Sequence, residues 1–69
     1  MNPKNFDALV EKKRFFYSIS QKKLADAIGI SYRTFQRKRS DPGKFELGEV
    51  QILMKILKFT DEERKEALL

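Results

Sequence analysis

Residues 20–39 read SQKKLADAIGISYRTFQRKR, with one glycine standing between two short apolar-patterned segments that each open on a serine. This arrangement limits the fold more than any other part of the chain. Ser20 is an N-cap residue whose side-chain oxygen accepts from the free N–H groups of a helix start. Leu24, Ala25 and Ile28 then recur as one inner stripe. Gly29 stops that helix, because glycine adopts the left-handed conformation at a helix end without steric cost. Ile30 points inward and Ser31 caps a further helix over about Tyr32–Arg39. Two helices joined by so short a turn cross steeply. The small Ala25 lets them approach, so Leu24, Ile28, Ile30 and Phe35 are the expected contact between them.

The remaining residues frame this unit with three more helices. Phe6, Leu9, Val10 and Phe16 share one face of a first helix over about Lys4–Phe16, which ends in the aromatic run Phe15–Phe16–Tyr17. Ser40-Asp41-Pro42-Gly43 is a turn. A fourth helix over about Leu47–Lys58 carries Leu47, Val50, Leu53, Met54 and Leu57 at helical spacing, with Phe45 placed to staple onto Val50. Thr60-Asp61-Glu62-Glu63 fits a capping box that opens a last helix through Leu69. Proline occurs only at positions 3 and 42, at helix edges, and no useful stretch alternates with period two. The expectation is an all-α, compact five-helix bundle forming a single domain over 1–69.

With 69 residues and neither cysteine nor histidine, the chain must hold its core by aliphatic and aromatic packing. Disulfides, thiolate nucleophiles and zinc-finger ligand sets are excluded. Charge interrupts every apolar run near the start, which argues against a signal peptide. The longest apolar stretch, Ile52–Met54, is far too short for a bilayer. A soluble protein of the reducing cytoplasm is expected.

Net charge is +5, and its distribution matters more than its sum. Between Lys12 and Lys44 stand ten cations and two anions, so that segment is +8 and the rest of the chain −3. A basic centre suits a polyanion, although Lys and Arg also simply solvate helix surfaces. Geometry decides between these readings. With Phe35 turned inward, the 100° step of a helix gathers Tyr32, Arg33, Gln36 and Arg37 on the opposite face. Arginine binds guanine edges in a bidentate manner, and glutamine does the same at adenine. These four are the candidate base-reading residues. Gln21, at the start of its helix, and Lys22, Ser31, Lys38, Arg39 and Lys44 around it are the candidate phosphate-binding set, which positions a duplex without reading it.

The stretch resembles the helix-turn-helix of the phage repressor and Cro type, also called the xenobiotic-response-element family. That family reads approximately S-Q-x-x-L-A-x-x-x-G-V-S-x-x-T-I-x-R, matched here by Ser20-Gln21, Leu24-Ala25, Gly29-Ile30-Ser31, Thr34-Phe35 and Arg37. The resemblance implies a lambda-repressor-like domain that reads the major groove with its third helix. It places Tyr32, Arg33, Gln36 and Arg37 at base-facing positions and Gln21 at a phosphate. Lys38 departs from the family's usual apolar residue, and Arg39 stands where Glu is common.

The implied function is sequence-specific binding of double-stranded DNA by a transcriptional regulator, repressor or Cro-like. It acts as a homodimer, at least on DNA, on a two-fold related operator. No cofactor, metal or small-molecule ligand is expected. The alternative is a protein-binding module on the same fold, antirepressor-like or antitoxin-like, with Ala67, Leu68 and Leu69 as a candidate apolar surface. An enzyme is not expected, because histidine, cysteine and a glycine-rich phosphate loop are missing and the carboxylates are scattered.

Overall fold

The computed structural model describes residues 1–68. They form α1 (Pro3–Tyr17), α2 (Gln21–Ala27), α3 (Tyr32–Ser40), one 3-10 turn (Pro42–Lys44), α4 (Leu47–Ile56) and α5 (Asp61–Leu68). Among the described residues there are five α-helices and no strand. Leu69, which closes the expected last helix, lies outside them.

Each helix start has a local cause. The Asn2 side chain accepts from the Asn5 N–H at 3.2 Å, and Pro3 supplies a preset first helical residue. Ser20 Oγ accepts from the Lys23 N–H and Ser31 Oγ from the Thr34 N–H, both at 3.1 Å. Glu46 and Glu49 form a reciprocal capping box on α4. Thr60 and Glu63 form another before α5, with the Thr60 N–H donating to Glu63 Oε1 at 2.8 Å and the Glu63 N–H to Thr60 Oγ1 at 3.1 Å. Gly29 has φ +76°, as the corner between α2 and α3 requires, and the Ile30 N–H returns to the Ala25 carbonyl at 3.1 Å.

Phe6, Val10, Leu24, Phe35, Leu53 and Leu57 are the largest fully buried side chains. Phe45 sits between the first and third helices. Its ring meets those of Phe6 and Phe35 edge to face, each at 5.8 Å between centroids. Phe35, with none of its surface exposed, thereby fixes which side of α3 faces solvent. Ala25 is buried completely, while Ile28 and Ile30 are half-buried against the core.

Two expected core residues lie outside it. Phe16 is 77 % exposed and packs on Tyr17, while Phe6, Leu9 and Val10 are the residues of α1 that enter the core. Leu47 is 69 % exposed: it is the first residue of α4, and Phe45 and Val50 fill the core at that end. The fourth helix also ends earlier than expected, at Ile56. Lys58 takes φ +54°, which turns the chain so that the Phe59 N–H reaches the Met54 carbonyl at 2.9 Å and the Phe59 side chain enters the core.

Candidate nucleic-acid interface

Burial of Phe35 leaves Tyr32, Arg33 and Arg37 exposed and Gln36 half-buried on the outer side of α3. These side chains are not independent of α2. Gln36 Nε2 donates to Tyr32 Oη at 2.6 Å, one turn earlier on the same helix, and to Gln21 Oε1 at 2.8 Å, on the first residue of α2. The amide of Gln36 is therefore held between two helices, and Gln21 and Tyr32 are drawn into one polar row. This link was not legible in the sequence, where Gln21 and Gln36 stand fifteen residues apart.

The cations divide into two groups. Of the ten between Lys12 and Lys44, four are engaged by carboxylates. Lys13 pairs with Glu63 of α5 at 2.7 Å, Arg14 with Glu11, Lys38 with Glu49 of α4 at 2.6 Å, and Arg39 with Asp7 and Glu11 of α1 at 2.7 and 2.5 Å. Lys12, Lys22, Lys23, Arg33, Arg37 and Lys44 have no ion-pair partner among the described residues. Five of these six lie on α2, on α3 or on the 3-10 turn that follows. Intramolecular pairing thus engages cations that face α1, α4 and α5 and leaves these five unpaired on α2, α3 and the turn; among the described residues Lys4, Lys55, Lys58, Arg64 and Lys65 elsewhere are likewise without an ion pair.

Two members of the expected phosphate-binding set take part in this pairing. Lys38 and Arg39 are turned back toward α4 and α1, where they tie α3 to the bundle. The charge of Arg39 is answered by the two acids on α1. Ser31 is occupied as a cap, and its hydroxyl also donates to Thr34 Oγ1 at 2.9 Å. Gln21, Lys22 and Lys44 remain at the surface beside α3, Gln21 half-buried and the two lysines exposed.

Electrostatics follow the same pairs. The hydrogen bond from Arg14 holds the Glu11 carboxyl below its ordinary value, with the charge of Arg39 adding to it. The hydrogen bond to Asp7 raises Arg39 further above the usual guanidinium value. Burial pushes Glu49 up, but the Lys38 ammonium and the Glu46 N–H together more than offset it, and the net shift is downward. Glu63 is lowered chiefly by Lys13.

Phe15, at 69 % exposed, lies beneath the Arg14 guanidinium at 4.6 Å, and Phe16 packs edge to face on Tyr17 at 4.9 Å. No group of three or more potential metal ligands occurs among the described residues. None of their helices is long and apolar enough to cross a membrane. Compared with protein-family models, with curated proteins and with solved structures, the chain matches none.

Proposed function

We propose that this protein binds double-stranded DNA and regulates transcription, with α3 entering the major groove. The observation that carries this reading is the coupling of Gln36 to Tyr32 and Gln21 on a surface whose neighbouring cations lack intramolecular partners. Arg33 and Arg37 supply bidentate donors suited to guanine, and Gln36, whose two N–H groups are given to Tyr32 and Gln21, keeps its Oε1 to accept from a base amino group. Gln21, Lys22 and Lys44 flank them as phosphate contacts that set register. A helix has the width to fit the groove, and an inward Phe35 aims this one outward. Two domains related by a two-fold axis would read an operator whose half-sites lie about one helical turn apart.

The deciding experiment is selection of bound duplexes from a random pool, followed by anisotropy titration of the enriched sequence against a scrambled one. A two-fold consensus bound more tightly than the scramble is the expected result. Failure to bind any duplex at low salt removes the reading and favours the protein-binding alternative.

A further inference from the structure

The bonds that join Gln21, Gln36 and Tyr32 have a direction. Gln36 Nε2 is the donor in both, to Gln21 Oε1 at 2.8 Å and to Tyr32 Oη at 2.6 Å. A primary amide carries two N–H groups, so both are engaged and only the acceptor Oε1 is left. Turning this amide over would set its oxygen against Gln21 Oε1, so the orientation is held. No buried side-chain N or O atom among the described residues lacks a partner. Gln36 Oε1 has no partner among them, so it reaches solvent although the residue is half-buried. Tyr32 is 45 % exposed, and its hydroxyl accepts one bond while keeping its own proton. The pair therefore presents one donor and one acceptor, side by side on the outer side of α3.

Resting on the proposal that α3 enters the major groove, we infer that Tyr32 and Gln36 together read one adenine, and that a methyl group on N6 of that adenine excludes the protein. Among single base edges in this groove, adenine alone sets an acceptor, N7, beside a donor, its N6 amino group. Guanine offers two acceptors, cytosine a donor, and thymine an acceptor with a methyl group. The Tyr32 O–H donates to N7, and Gln36 Oε1 accepts from N6. A free glutamine amide makes both contacts itself, its N–H going to N7. Here that N–H is engaged within the protein, and the tyrosine supplies the proton in its place. In a paired adenine one N6 hydrogen is bonded to thymine and the other faces the groove. A methyl group on N6 takes the groove-facing place, because the other must stay on thymine. It removes the only hydrogen Gln36 can use and sets carbon against its oxygen. The methylation state of the operator then controls occupancy, with no ligand bound to the protein.

The test takes the duplex enriched by selection and replaces each adenine in turn by N6-methyladenine or by 7-deazaadenine, which lacks N7. Anisotropy titrations are expected to show one position per half-site where either analogue lowers affinity about tenfold or more. At that position Tyr32→Phe is expected to erase the penalty for 7-deazaadenine, and Gln36→Ala the penalty for N6-methyladenine. Circular dichroism checks that both variants stay helical, and the analogues decide the question on the unaltered protein alone. Equal affinity for methylated and unmethylated duplexes at every adenine overturns the inference and leaves DNA binding standing. So does a consensus that contains no adenine. Failure to bind any duplex removes the proposed function and this inference together.

Discussion

Gln36 donates to Gln21 across the corner between α2 and α3, 2.8 Å from Nε2 to Oε1. The two residues belong to different classes in the proposed interface, one facing bases and the other the backbone. Their bond means that the second class orients the first. Gln21→Ala is therefore expected to lose affinity at the preferred sequence and also about 1 kcal/mol of discrimination. A phosphate contact acting alone weakens all sequences equally, so anisotropy titrations on matched and mismatched duplexes distinguish the two outcomes.

Arg37 has no such brace and no carboxylate partner among the described residues. Arg37→Ala is expected to relax specificity at one base pair per half-site by about 1–3 kcal/mol. The check is a set of duplexes substituted one position at a time. Equal weakening across the whole set counts against base readout by this residue.

Salt dependence separates free cations from paired ones. Lys22→Ala is expected to reduce the slope of log affinity against log salt by about 1. Lys38→Ala is expected to leave that slope unchanged, because the ammonium is engaged by Glu49 at 2.6 Å. Titrations over a range of salt concentrations measure both slopes.

Arg39 is expected to matter to folding and not to recognition. Its side chain is 16 % exposed, and its guanidinium faces Asp7 and Glu11. Arg39→Ala leaves Asp7 without a cation and Glu11 with Arg14 alone, and is expected to cost about 1–2 kcal/mol, read as a lower urea midpoint. The base preference of the remaining folded protein should not change.

Acid should weaken the fold through the same pairs. Glu11, Glu49 and Glu63 are all held below the ordinary glutamate value of 4.5. Each binds protons less readily folded than unfolded, so the unfolded chain takes up the excess protons as pH falls. Their contribution is fully present above about pH 5 and is lost as the pH drops through 4.5 and below. Urea unfolding at a series of acidic pH values is expected to show this decline. A stability that stays level down to strongly acidic pH contradicts it.

The elements and their order could be read locally. Ser20, Ser31 and Thr60 announce helix starts through side-chain oxygens that find N–H groups three residues on, and Gly29 marks the corner, where φ is +76°. Gly29→Ala accordingly tests a backbone preference alone, since no atom lies near the added methyl; about 1 kcal/mol of lost stability in thermal unfolding is expected. The inward setting of Phe35 followed from periodicity, and Tyr32, Arg33 and Arg37 are exposed on the other side. Phe16 and Leu47 were misplaced by the same reasoning, because periodicity identifies a face and not whether a neighbouring element reaches far enough to cover it.

Capping, glycine conformation and apolar spacing act over three or four residues, so the order of residues alone settled the five helices and the direction in which α3 faces. Ion pairing acts over distances in space that sequence separation does not reveal. Lys38 and Arg37 are adjacent in the chain, yet Lys38 meets Glu49, eleven residues away, and Arg37 meets no carboxylate among the described residues. Which cations stay available to a polyanion, and which hold the bundle together, was settled by the packing of α3 against α1 and α4. A lysine or arginine has the same charge in either place, and it differs only in whether folding brings an acid within reach.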